Sequence, residues 1–344
     1  MQRICVVLIY CITLCFSGAN YAFAQIPSVD FDVAMKDYAP KINKGGEGTY
    51  NSYRALYLKN APALVKHASN PLIPKIIHHI WLGPKPLPKL YQKYRQTWID
   101  NHKGWEHKLW TDKEVAALDF PNKDLFYKAS SYHERADILR YELLYKYGGL
   151  YIDTDYICLK PFDDLHYMYK TYLTMEPYYP DVMAISIMAS APNNPLFQKT
   201  LSIIRSHWDI VQSDPQFSQG LEKKNRLWRL AIYRTMLPFN QVVQNNIGYL
   251  EKNRGIILPS SYLYPLYPKM NFTDKFLARI GYEYKDRAIK KVGGNIKPET
   301  MSLQDVGERA EIANLAGFRI KSKWEVWYQN LKEFFAKNQP DQQK

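Results

Sequence analysis

The stretch from Ser131 to Asp155, SYHERADILRYELLYKYGGLYIDTD, constrains the fold more than any other part of this 344-residue chain. Ser131 and Glu134 predict a capping box, and Ala136, Leu139, Leu143, Leu144 and Tyr147 recur at the spacing of an apolar helical stripe. Gly148 and Gly149 stop that helix, and LYID reads at once as a strand. A helix that turns straight into an apolar strand needs further strands and helices to cover it.

They are present on both sides. KIIHHIWLG reads as a buried strand ending at Gly83, which PKPLP cannot continue. WEHKLW (Trp105 to Trp110) is a second strand, followed by a capping box at Thr111 and Glu114. Downstream, DVMAISIMAS reads as a strand and NNPLFQKTLSIIRSHW as a helix capped by Asn194 with Pro195 at its first position. Strands alternating with helices predict an α/β domain with a Rossmann-like, mostly parallel sheet over residues 71–337. Residues 25–70 read as a loosely attached N-terminal extension in which Asn43 to Ser52 (NKGGEGTYNS) is a flexible loop. Trp324, Trp327, Tyr328, Leu331 and Phe335 fall at helical spacing near the end, and 338–344 reads as a disordered tail.

The strand LYID ends in two acids, Asp153 and Asp155. Residues i and i+2 of a strand share a face, so both carboxylates are expected to point the same way and to repel unless a proton, a cation or solvent relieves them. Asp30-Phe31-Asp32 has the same spacing but follows no apolar run, and it reads as a solvated pair. The carboxyl ends of strands in open α/β sheets are where ligands bind, and Mg²⁺ or Mn²⁺ sites use one or two carboxylates together with substrate phosphates. A calcium loop is excluded, because its sixth position would be Cys158 rather than glycine. An aspartyl-phosphate phosphohydrolase also carries D-x-D after a strand, but Tyr156 and Ile157 stand where it uses small polar residues. On the preceding helix Asp137 and Arg140 are i and i+3. They form either a surface ion pair or a guanidinium site for hydroxyls and phosphates.

The segment RADILRYELLYKYGGLYIDTDYICLKP resembles glycosyltransferase family 32, the sugar-binding DXD family of initiating α-1,6-mannosyltransferases and inositol-phosphoceramide mannosyltransferases. IPKIIHHIWLG, TWIDNHKGWEHKLWTD and MASAPNNPLF resemble it too, in the expected order over about residues 72–200. The resemblance implies a GT-A fold, a UDP- or GDP-hexose donor, Mn²⁺ or Mg²⁺, and retention at the anomeric carbon. It places Trp81 on the nucleotide base with Leu82 and Gly83 beside it, Asp137 on the ribose and Arg140 on the donor sugar. Tyr151 and Asp153 would contact sugar or ribose, and Asp155 would ligate the metal. Asp153, Asp155 and Arg140 are thus the expected catalytic group. Ser322-Lys323-Trp324 resembles the family's terminal element and adds Trp324 to the donor residues. The histidine or acid that usually precedes that element is absent.

Residues 1–24 carry one basic residue (Arg3), an apolar run from Ile4 to Phe16 and the small-x-small site Ala22-Phe23-Ala24. They read as a signal peptide, with an uncleaved anchor as the alternative, because the run is shorter than a spanning helix. Cleavage would lower the net charge only from +13 to +12 and would leave Cys158 as the sole cysteine, so the exported core must hold without an intramolecular disulfide. The basic charge suits an anionic partner, a membrane surface or substrate phosphates. No nucleic-acid-binding motif accompanies it. The chain thus reads as a secreted or lumenal hexosyltransferase with a glycan, lipid or protein acceptor. The alternative is a nucleotide-sugar binder without turnover.

Overall fold

The structure is a computed structural model that describes residues 26–36, 38, 46–177, 179–213, 223–263 and 299–304. The signal segment 1–24, Trp324 with its expected helix, and the tail 338–344 lie outside the described residues.

The elements in chain order are α1 (Phe31–Met35), α2 (Glu47–Lys59), β1 (Ile76–Ile80), α3 (Lys89–Asn101), β2 (Glu106–Trp110), α4 (Asp112–Ala116), α5 (Lys123–Lys128), α6 (Tyr132–Tyr147), β3 (Gly149–Ile152) and β4 (Tyr156–Cys158). They continue with α7 (Asp163–Met168), β5 (Thr171–Thr174), β6 (Ile187–Ser190), α8 (Pro195–Ser213), α9 (Lys223–Ala231), a π-helical turn (Ile232–Met236), α10 (Leu237–Asn245), α11 (Ile247–Lys252), β7 (Gly255–Leu258), α12 (Ser260–Leu263) and β8 (Ser302–Gln304). Six strands form one sheet in the order β2-β1-β3-β6-β5-β7, and β4 pairs with β8 separately. Within the main sheet β6 alone is antiparallel to its neighbours. This is the mostly parallel α/β sheet flanked by helices that the sequence predicts.

Central strands of such a sheet are buried on both faces, so their residues must be apolar or fully satisfied. Strand β1 is IIHHI, and its two histidines are buried. His78 meets the requirement by donating from Nε2 to the Gly148 carbonyl at 2.8 Å and accepting at Nδ1 from the Trp110 indole at 3.1 Å. Burial drops its pKa to about 4, so it works as a neutral spacer.

The helix stop works as expected, and it requires glycine twice. Gly148 and Gly149 have φ of +64° and +94°, and a Cβ at Gly149 would lie 2.6 Å from the Ile76 carbonyl oxygen. This approach brings the end of α6 against β1 and starts β3 beside it.

Several expectations are corrected. Asn43 to Ser52 is not wholly a loop: from Glu47 it is helical, because Tyr50, Tyr53, Leu56 and Tyr57 have a core to enter. That core is the one holding Ile77, Leu150 and Ile256, so the described part of the extension is packed rather than loosely attached. DVMAISIMAS is a strand only from Ile187. Glu134 does not close a reciprocal capping box: Ser131 Oγ accepts from its N–H, but its own carboxylate takes the Ser130 N–H at 2.7 Å and a distant arginine. Finally, β3 ends at Ile152, so Asp153 to Asp155 form a turn into β4 and the shared-face geometry of a strand does not apply. Asp30 and Asp32 are exposed, as expected of a solvated pair, and they also start a helix. Asp30 caps α1, accepting from the Asp32 and Val33 N–H groups, and Asp32 pairs with Arg54 on the surface.

Candidate active site

Strands β1 and β3 run parallel with His78 beside Tyr151, so Trp81 and Asp153 leave the sheet at the same, carboxyl-terminal edge. Helix α6 returns antiparallel to β3, which brings its first turns to that edge. Its apolar stripe is as expected, with Leu139, Leu143 and Leu144 buried. Glu134, Asp137 and Arg140 are buried as well, because α8, α9, the π turn and α10 cover the opposite side.

Arg140 is the centre of the site and is only 5% exposed. Its Nη2 pairs with Asp137 Oδ1 at 2.6 Å, and its Nη1 donates to the Ile185 carbonyl at 2.6 Å and lies 3.6 Å from Asp153 Oδ1. The guanidinium plane covers the Tyr151 ring at 4.6 Å, and the Tyr151 hydroxyl donates to Asp153 Oδ1 at 2.6 Å. Asp137 Oδ2 accepts from Thr235 Oγ1 at 2.7 Å. The surface-pair reading of Asp137 and Arg140 is therefore overturned.

The electrostatics follow from burial. Desolvation works against the charge on Arg140, but Tyr151, Asp137 and Asp153 outweigh it and hold its pKa above the ordinary value. Desolvation also raises Asp137, against the pull of Arg140 and Thr235. A buried cation between two carboxylates and an aromatic face is preorganised, because none of its partners needs to move to meet a ligand. Most of its N–H groups are engaged within the protein, so Arg140 holds Asp137, Asp153 and Tyr151 in register whatever else it binds.

Trp81 is half-buried beyond the end of β1. Its indole donates to the Lys85 carbonyl at 2.7 Å, and its ring meets Tyr91 edge-on at 5.8 Å. Those contacts fix the ring plane. Leu82 packs on the main core. Gly83 has φ +102°, its N–H donates to Asp112 Oδ2 at 2.7 Å, and the Tyr132 ring stands 2.9 Å from where a Cβ would be. Asp155 lies two residues past Asp153 in the turn, half-buried. Asp153 and Asp155 suit a hard divalent cation by ligand type. Among the described residues no group of three or more His, Cys, Asp or Glu side chains gathers around one point, so most oxygens on such an ion would come from substrate and water.

The structure thus brings Asp137, Arg140, Tyr151 and Asp153 into one contact network and sets Trp81, Leu82 and Gly83 on the same sheet edge. Sequence reasoning missed Thr235, Arg234 and the Ile185 carbonyl. Only Thr235 and Arg234 carried a signal, as adjacent polar residues inside the apolar run AIYRTMLPF.

Residues 88–172 match the family described as glycosyltransferase sugar-binding region containing DXD motif. Inositol phosphoceramide mannosyltransferase 2 of Schizosaccharomyces pombe is 32% identical over 179 residues, covering 50% of each chain. The mannosyl phosphorylinositol ceramide synthase CSH1 of Saccharomyces cerevisiae is 33% identical over 192 residues, covering 51% of this chain and 50% of its own. The chain thus spans about half the length of these relatives. Among solved structures, PaToxG glycosyltransferase superposes with a TM-score of 0.40 at 20% identity, over 63% of this chain and 82% of that one.

Proposed function

We propose that this chain, whose residues 88–172 match the glycosyltransferase sugar-binding region containing the DXD motif, moves a hexose from a nucleoside diphosphate sugar to an acceptor, with retention at the anomeric carbon. The observation that carries this reading is the array of buried Asp137 and Arg140 with half-buried Asp153 over Tyr151 at the carboxyl edge of the sheet. Sugar and ribose hydroxyls need acceptors and donors fixed in advance, and this array supplies both without exposing an unpaired charge.

Trp81 is the stacking face for the base, its plane held by Lys85 and Tyr91. Asp137 and Asp153 offer remaining lone pairs to hydroxyls, and Arg140 lies against both carboxylates. Asp155 is the protein ligand of a divalent cation, which when bound would screen the charge gathering on the leaving diphosphate. The relatives are named for transfer to inositol phosphoceramide. The acceptor proposed for this basic chain is accordingly an anionic polyol headgroup, reached in an exocytic lumen or outside the cell after removal of residues 1–24. Among the described residues no helix is long and apolar enough to cross a membrane.

The test is a panel of UDP- and GDP-hexoses assayed for Mn²⁺-dependent donor hydrolysis, with the anomer released first read by NMR. Hydrolysis of one donor with retained configuration is the expected result. Binding without turnover would make the chain a sugar-nucleotide binder, and inversion would remove the retaining assignment.

A further inference from the structure

We propose that the π-helical turn Ile232–Met236 is a positioning clamp for the donor site, acting through Arg234 and Thr235 on the face of α6 that carries Asp137; this rests on the donor-binding reading above. A π turn is rare and leaves a wide place in a helix where side chains are re-aimed. Here the Leu237 N–H donates five residues back, to the Ile232 carbonyl.

The wide turn meets one stripe of α6. Glu134, Asp137 and Tyr141 stand at i, i+3 and i+7 and so share a helix face. Each of them touches the turn. Arg234 Nη1 pairs with Glu134 Oε1 at 2.7 Å, Thr235 Oγ1 donates to Asp137 Oδ2 at 2.7 Å, and the Tyr141 hydroxyl donates to the Thr235 carbonyl at 3.3 Å. Two consecutive residues therefore hold three rungs of the helix. The Arg234 guanidinium is sandwiched from the other side by Trp208 of α8 at 4.2 Å, and the second oxygen of Glu134 takes the Ser130 N–H in the loop entering α6. Arg234, Glu134 and Thr235 are all buried.

The consequence for the site is geometric. Rotating or sliding α6 would break a buried ion pair and leave a carboxylate without its hydroxyl partner, which a low-dielectric interior penalises strongly. Thr235 is one hydrogen bond from Asp137, which is one ion pair from Arg140, which lies against Asp153. The single hydroxyl proton is shared between Asp137 Oδ2 and the Ala231 carbonyl, 2.5 Å away, which keeps the hydroxyl within the turn. Thr235 is thus a positioning residue. It sets the height of Asp137 relative to Asp153 and with it the fit of the donor's ribose and sugar.

Thr235→Val keeps the shape and removes the hydroxyl, and Thr235→Ser restores it. In the full chain, binding of UDP-glucose and GDP-mannose with Mn²⁺ is measured by calorimetry, together with KM and kcat for donor hydrolysis and the melting temperature. The expected result for the valine variant is a rise of about tenfold in Kd and KM with kcat within about threefold of wild type, and recovery in the serine variant. A valine variant that melts lower yet binds donor as wild type does, or equal KM values for the serine and valine variants, would reduce the turn to packing and overturn the clamp. Should the valine variant not fold, Thr235→Ala against Thr235→Ser is read by the same criteria. Failure of the wild type to bind either sugar nucleotide would instead sink the donor reading, and the clamp with it.

Discussion

The guanidinium of Arg140 lies 4.6 Å above the centroid of the Tyr151 ring. Tyr151 in turn donates its hydroxyl to Asp153, so one side chain fixes both a cation and an anion of the site. A flat ion suits that face, and the same plane lets it reach Asp137 and the Ile185 carbonyl in different directions.

Arg140→Lys should therefore lose about a hundredfold or more in kcat/KM while remaining folded, because a single ammonium cannot serve the ring, the carbonyl and two carboxylates together. Circular dichroism melts and donor-hydrolysis kinetics check this. Wild-type rates in the lysine variant would show that the planar fork is not used.

Trp81→Ala should raise the donor KM by about tenfold or more with little change in kcat. Base stacking contributes about 1–3 kcal/mol and is the same before and during transfer. A variant with unchanged KM would mean that Trp81 serves only its contacts with Tyr91 and Lys85.

Asp155→Asn should fold as well as wild type, since the amide keeps the size and shape of the carboxylate it replaces in the turn. It should nevertheless weaken Mn²⁺ binding in the presence of nucleoside diphosphate, because a neutral amide is the poorer ligand for a hard cation. Paramagnetic titration of Mn²⁺ and a melting curve separate the two effects. A lower melting temperature with unchanged Mn²⁺ binding would make Asp155 structural. Since no group of three or more His, Cys, Asp or Glu side chains gathers here among the described residues, Mn²⁺ should bind weakly to the wild type until diphosphate is added.

Acid should destabilise the fold from the histidines inward. Burial lowers His78 and His102 to about 4 and His79 and His166 to about 3, from an ordinary 6.5. The unfolded chain takes up these protons first, so stability is lost as pH falls from 6.5 toward 4, at about 1.4 kcal/mol per pH unit for each histidine. Asp137, Glu142 and Asp164, which burial raises, act in the opposite sense from lower ordinary values. Urea unfolding at pH 7, 6 and 5 should therefore show a falling midpoint. A flat profile would mean that the histidines are not kept neutral in the folded protein.

The histidines also mark where the chain could not be read locally. His78 and His79 stand in a strand otherwise made of isoleucine, and nothing near them in sequence says what satisfies them. The partners of His78 are the Gly148 carbonyl, 70 residues away, and Trp110, 32 residues away. Glu134 likewise fits a capping pattern three residues from Ser131, yet one of its carboxylate oxygens takes the Ser130 N–H and the other a buried arginine. The expected strand geometry of Asp153 and Asp155 failed for a similar reason. The ladder partner for the Asp153 N–H is the Ser186 carbonyl, after which the chain turns away to start β4.

By itself the sequence determined the α6–glycine–β3 unit and the mostly parallel α/β sheet, and it singled out Asp137, Arg140 and Asp153 as candidates. Each of these rests on signals that act within a few residues: helical and strand periodicity, a glycine pair with positive φ, acids placed at a strand end. Tertiary structure alone decided that Asp137 and Arg140 are buried rather than a surface pair, and that Arg234 and Thr235 hold α6 in place. Those contacts join residues 100 and 98 positions apart. Burial and pairing at that separation depend on which helices pack together, and no periodicity within either segment encodes it.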